Sequence, residues 1–180
     1  MKGNRTMKIF ITNLGKYCEG YLVGKWVQLP ISGDKLDEVL KQIGINEYYE
    51  EYFISDCEND IIGLSDVISE YSSISVLNKL AQRIEELSAD DTKKLGAVLE
   101  YEACTSVEEV LAILDKLDEF ELVIGVSDDE TLGYYYAEEL GSIDIPEHLK
   151  NYMDYEAYGR DIRLENSCLY TSFGFLLDNR

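Results

Sequence analysis

Basic side chains are scarce in this chain. Sixteen Lys and Arg stand against thirty-six Asp and Glu in 180 residues, for a formal net charge of -20. That shortage excludes a surface that grips phosphates through Lys and Arg, so direct binding of nucleic acid is not expected. Histidine is reduced to His148 alone, which leaves little material for a zinc site or for His-based catalysis. The four cysteines, Cys18, Cys57, Cys104 and Cys168, are scattered with no C-x-x-C. They read as small, partly buried apolar side chains that a reducing compartment keeps as thiols. No apolar run approaches the ~18 residues of a membrane span. Ile9-Phe10-Ile11, after a basic start, is too short for the apolar core of a signal peptide. A cytoplasmic protein with no membrane partner is the expectation. Met7 reads as the start of the folded chain, with residues 1–6 as a disordered extension. G-x-G-x-x-G and G-x-x-x-x-G-K-[ST] are both missing, so nothing offers a phosphate-cradling loop.

What is present is charge of one sign on a globular composition. The hydrophobic fraction is 46% with only two prolines, as in a folded domain. The acids are not a tail. No Lys or Arg lies between Lys41 and Lys79, while Glu47, Glu50, Glu51, Asp56, Glu58, Asp60, Asp66 and Glu70 all do. Between Lys94 and Lys150 the one cation is Lys116, against fifteen carboxylates. These acids alternate with Ile, Leu, Val and Tyr at core-like spacing, which marks a folded surface rather than a solvated string. Such self-repulsion disfavours compaction. Duplex DNA carries about one negative charge per ~1.7 Å, so twenty charges match roughly 34 Å of duplex. The charge therefore reads either as an imitation of DNA or as a soluble acidic surface with no special partner.

Periodicity predicts an α+β chain of three small domains. Residues 1–71 form an α+β unit: a strand over 7–13, turn chemistry at Asn13–Tyr17 and Glu19-Gly20, a strand from Gly24 to Ile31, and a helix from Asp34 to Gly44 with Leu36, Val39, Leu40 and Ile43 inward. A short turn and strand follow at Tyr48–Ser55. Residues 72–119 are helical. Ile74, Leu77, Leu80, Ala81, Ile84 and Leu87 share one face, Ser88 caps the next helix, and Thr105 with Glu108 forms a capping box for a third. The opposite stripes hold Glu85, Glu86, Asp90, Asp91, Glu100, Glu102, Glu108, Glu109, Asp115 and Asp118, with Glu119 just beyond. Residues 120–180 are α+β again: a strand from Phe120 to Val126, a capping box of Ser127 and Glu130 opening a helix to Leu140, a short helix from Pro146 to Met153, and a terminal hairpin bent at Gly174.

Specific chemistry is hard to find. Asp56-x-Glu58-x-Asp60 resembles the start of a calcium loop, but Ile61 and Val67 stand where Gly and Glu are needed. Asp128, Asp129 and Glu130 could hold a hard cation, yet acids in a first helical turn ordinarily complement the dipole. No cofactor is expected. Fourteen tyrosines are an excess. Three in a row, Tyr134, Tyr135 and Tyr136, cannot all face one core when consecutive helical side chains diverge by about 100°, so at least one is a candidate subunit contact. The segment 151–161 is the most distinctive, with Tyr152, Tyr155 and Tyr158 at intervals of three. Gly159 permits a positive φ that would end a helix there, and Arg160 is expected as the buried partner of a nearby carboxylate.

Tyr155-x-Ala157-Tyr158-Gly159-Arg160-Asp161, preceded by Pro146-x-x-Leu149-x-x-Tyr152, resembles the antirestriction motif of ArdA-type antirestriction proteins. Ile11-Thr12-Asn13-Leu14-Gly15-Lys16-Tyr17-x-Glu19-Gly20, then Leu22-Val23-Gly24-x-Trp26, resembles the family's start. Tyr49-Glu50-Glu51-Tyr52 and Ile74-x-x-Leu77-Asn78-x-Leu80 are similar to intervening segments. The likeness runs in order from about Met7 to the C-terminus. It implies an elongated homodimer of three small domains per chain, paired through the C-terminal domain, encoded on a mobile element. It also implies an acidic surface that mimics bent DNA and occupies the DNA groove of the methyltransferase core of type I restriction–modification enzymes. The motif marks no active site in that family. Two alternatives stay open from the residues themselves: an acidic module for another basic, nucleic-acid-binding partner, and a metal-dependent hydrolase built on clustered carboxylates.

Overall fold

A computed structural model describes residues 6–180, so the expectation for the leading extension lies almost wholly outside the described residues. Strand β1 (Met7–Asn13) is central in a three-stranded antiparallel sheet of order β2-β1-β3, with β2 spanning Gly24–Leu29 and β3 Tyr52–Glu58. Its alternation decides the faces: Met7, Ile9 and Ile11 are buried, while Phe10 meets Trp26 of β2 edge to face at 5.3 Å between centroids on the other side. The register of β1 against β3 slips between Phe10 and Ile11.

Asn13 closes the strand and opens α1 (Leu14–Cys18), a helical turn where only turn chemistry was expected. Its side chain accepts from the Lys16 amide at 2.9 Å and donates to the Ile43 carbonyl at 3.1 Å. A fully buried Asn is thus satisfied on both sides. Helix α2 (Gly33–Gln42) buries Val39, with Ile43 just past its end, and Gly44 turns out of it at φ +82. Helix α3 (Ile74–Glu86) buries Ile74, Leu77, Leu80, Ala81 and Ile84, the stripe the spacing predicts. Asn78 on its flank exchanges two hydrogen bonds with the Ile31 backbone, 2.9 and 2.8 Å, which ties α3 to the segment after β2.

Helix α4 (Ala89–Tyr101) begins at Ser88, whose hydroxyl accepts from the Asp91 amide at 3.0 Å. Helix α5 (Val107–Leu114) starts one residue later than expected. Ser106, not Thr105, is the cap, and it is Glu109, not Glu108, that reaches back to the Thr105 amide at 2.6 Å. The stripe Val107, Val110, Leu114 sets the helix phase, and this register buries it while leaving Glu108 in solvent.

Two compact units result. One holds the residues up to Thr92 together with Cys104–Asp115, the other Lys93–Ala103 with Lys116–Arg180. Helices α3 and α5 fall in the first of these units, and most of α4 in the second.

In the second unit a sheet of order β4-β6-β5 is antiparallel throughout, with β4 at Phe120–Val123, β5 at Cys168–Thr171 and β6 at Gly174–Asp178. Gly174 takes φ +139 at the hairpin bend, where a Cβ would lie 2.3 Å from the Val123 carbonyl oxygen. Helix α6 (Asp129–Tyr134) runs on as a π-helical turn over 135–139 and stops at Gly141, φ +63. Its cap is again one residue later than expected: Asp128 accepts from the Thr131 amide at 2.8 Å, and the Thr131 hydroxyl accepts from the Asp128 amide at 3.2 Å. A 3₁₀ turn at Glu147–Tyr152 follows Pro146. Helix α7 (Tyr155–Glu165) covers the motif segment, and its core neighbours are Val123, Val126, Leu132, Phe175 and Leu177 around Ile162. The fold class is α+β, as the periodicity predicts.

Candidate functional site

Charge is placed outward in both units. Glu47, Glu50, Glu51, Asp56, Glu58, Asp60, Asp66, Glu70, Glu85, Glu86 and Asp90 are exposed. So are Glu100, Glu108, Glu109, Asp115, Asp118, Glu119, Asp128 and Glu130. Helix phase explains the pattern in α3 and α5, where the apolar stripe turns inward and leaves the acids on the far side. Asp91, Glu102 and Asp129 are half-buried instead. Asp91 caps the start of α4 through Ser88, at 2.6 Å from its hydroxyl. Glu102 takes the Arg180 guanidinium, which also holds Asp178 at 2.7 Å and lies over the Phe120 ring at 4.5 Å.

Asp129 is the most strongly held carboxylate of the group. Arg163 reaches it with two bonds, Nε to Oδ1 at 2.7 Å and Nη2 to Oδ2 at 3.0 Å, and the Tyr170 hydroxyl donates to Oδ1 at 2.7 Å. The Arg163 bonds and then the Tyr170 bond lower its pKa to about 2. The same contact raises Arg163, and burial followed by the Asp129 bond raises Tyr170. An open concavity of about 730 Å³ lies here, lined by Asp128, Glu130, Glu156, Arg163 and Tyr170 among others.

The motif segment has two corrections to its expected roles. Gly159 does not end a helix. It sits mid-way along α7, right-handed, and buried against α6. A Cβ there would fall 1.9 Å from the Asp129 carbonyl oxygen, and one on Gly133 would fall 1.9 Å from that of Tyr155. Nor is Arg160 a buried partner of a carboxylate: it is exposed, with Asp161 at 3.6 Å. Helix geometry gives the reason. Arg163 follows Gly159 by four residues and shares its face toward α6, while Arg160 is turned about 100° away. Of the remaining motif residues, Ala157 and Tyr158 are half-buried, Asp161 is exposed, and Tyr152 projects with 84% of its surface free. Tyr158 pairs with the Ser142 hydroxyl at 2.9 Å. Tyr155 donates to Glu138 at 2.7 Å, and Lys150 closes on the same carboxylate at 2.7 Å. Lys150 first, then Tyr155, lowers the Glu138 pKa.

Tyr135 and Tyr136 pack against the core of this unit, while Tyr134 is 50% exposed. At least one outward face among three consecutive tyrosines is what their angular spacing requires. A further cluster escaped sequence reading although its members lie in the quoted segments: Lys16 bonds Tyr49 at 2.6 Å and Glu19 at 3.0 Å, and Tyr49 donates to Glu19 at 2.8 Å. Lys16 and Tyr49 stand thirty-three positions apart, so no local spacing could have joined them.

Among the described residues, no three His, Cys, Asp or Glu side chains converge as metal ligands would. In the acidic run of β3, Asp56 accepts from the Cys57 amide and Glu58 pairs with Lys8 at 3.1 Å. No helix among the described residues is long and apolar enough to cross a membrane.

Fold and surface together define an acidic α+β protein whose carboxylates face solvent and whose motif segment is a helix locked against its neighbour. The chain belongs to the ArdA antirestriction protein family, whose family model matches residues 9–176. Membership implies an antirestriction function, and the family is not one known for catalysis. No curated protein matches the chain.

Proposed function

We propose that this chain is a DNA mimic that inhibits type I restriction–modification enzymes stoichiometrically, by occupying the DNA groove of their methyltransferase core. Supporting this reading is one observation above the rest: most carboxylates of residues 47–130 are exposed, and few of them pair with a cation among the described residues, in a chain of formal net charge -20. Carboxylates then take the place of phosphates before the Lys and Arg side chains that the target normally presents to DNA. Recognition of this kind weakens with salt and owes more to complementary fields than to single contacts.

Two copies paired through residues 120–180 would double the charged length to roughly 68 Å at the phosphate density of a duplex. A cytoplasmic location, carriage on a mobile element and a division into modules 1–71, 72–119 and 120–180 belong to the same proposal. Sedimentation tests the pairing and limited proteolysis the division.

Competition with a duplex for a purified type I methyltransferase, run at several salt concentrations, tests the central claim. Displacement of the duplex that weakens steeply as salt rises is the expected result. An enzyme that keeps its duplex in excess of this protein at low ionic strength would leave another basic protein as the partner.

A further inference from the structure

The end of β4, α6 and the start of α7 surround a cavity of about 410 Å³ in the second unit, lined among others by Ile124, Val126, Glu130, Tyr134, Glu139 and Tyr155. Its walls are aromatic and aliphatic. Tyr134 and Tyr155, both in its lining, meet edge to face at 5.5 Å. Tyr155 is fixed by its bond to Glu138, itself held by Lys150, so this wall is set before any ligand arrives. Glu130 and Glu139 supply two carboxylates that make no ion pair with a described residue, and no Lys or Arg lines the cavity. Of the lining residues, Ile124 and Tyr134 are 57% and 50% exposed.

We infer that this cavity seats one arginine side chain of the basic protein that the chain binds. A guanidinium stacks on tyrosine faces, its methylene stem suits Ile124 and Val126, and its charge suits the two free carboxylates. A second copy of this chain is the poorer occupant. Its formal net charge is also -20, so seating it here would set one acidic surface against another. The identity of the partner rests on the DNA-mimic reading. The seat itself does not, and it adds a local aromatic contact to a surface of otherwise dispersed charge.

The test is an NMR titration of the full chain, carrying ¹³C-labelled tyrosine, with N-acetyl-arginine methylamide and, in parallel, its uncharged citrulline analogue. Saturable shifts of the Tyr134 and Tyr155 ring signals with the arginine probe alone are expected. Glu130→Gln with Glu139→Gln should weaken binding several-fold, and Tyr134→Ala should abolish the Tyr155 response. Equal shifts with citrulline, or none with either, would overturn the seat. So would Tyr134 signals that move with protein concentration and reveal a second copy on the patch. Block of a type I methyltransferase with no probe binding removes the seat and leaves the mimic. Probe binding without any block removes the mimic and leaves the seat.

Discussion

Gly133 and Gly159 meet backbone to backbone where α6 crosses α7: a Cβ built on Gly159 would lie 2.6 Å from the Gly133 amide nitrogen. The crossing explains two further residues at once. Asp129 precedes Gly133 by four positions, and Arg163 follows Gly159 by four, so each helix contributes a glycine and, one turn along the same face, half of an ion pair.

Gly159→Ala should therefore destabilise the chain at the upper end of overpacking costs, on the order of 3 kcal/mol, because the obstacle is backbone and cannot rotate aside. Gly33→Ala is the control: nothing lies within 4 Å of its would-be Cβ, and the change should be neutral or slightly stabilising. Denaturant unfolding of the two variants checks both. Equal stabilities would contradict the close crossing.

Asp129 makes stability depend on acid. Its folded pKa is lowered to about 2, below the ordinary ~3.9 of an unfolded Asp. A depressed carboxylate contributes stability that is complete above the unfolded value and is lost as pH falls through the folded one. Asp129→Asn should thus be less stable than the parent at pH 7, and the gap should shrink between pH 4 and pH 2. A gap constant over that window, measured by thermal or urea unfolding, would remove Asp129 from its role.

Capping at α5 distinguishes a one-residue shift. Ser106→Ala removes the side chain that accepts from the Glu109 amide and should cost about 1 kcal/mol. Thr105→Ala keeps its own amide for Glu109 and should cost clearly less. The reverse order in unfolding experiments would restore the Thr105 register.

Inhibition should be insensitive to any one exposed carboxylate. Neutralising Glu85, Glu86, Asp90 or Glu108 singly should change potency by no more than about threefold, the scale of exposed ion pairs. Neutralising about a dozen together should weaken it strongly. Loss of most potency from one such change, in a duplex-competition assay, would argue for a discrete site instead of dispersed charge.

Much of the fold was legible because its signals are local. The alternation of β1, the stripe of α3, Gly44, Gly141 and Gly174 as turn points, and the hairpin after Cys168 all follow from spacing and backbone freedom. The two capping boxes were displaced by one residue, since Ser, Thr and Asp are near-equal caps and only the packing phase of the helix selects among them. Helix α7 was obscured by Gly159, whose freedom reads as a helix end until a second helix is seen to occupy the space its missing Cβ leaves.

The sequence by itself determined the sign and the placement of charge along the chain, the apolar periods that bury the cores, and membership of the antirestriction family. The first two live in composition and in intervals of two to four residues, the third in the order of motifs along the chain. Only the tertiary structure decided which acids remain free. Arg163 finds Asp129 across thirty-four positions, and Arg180 finds Glu102 across seventy-eight. A carboxylate's partner is fixed by where the chain returns in space, and nothing in its immediate neighbours carries that information.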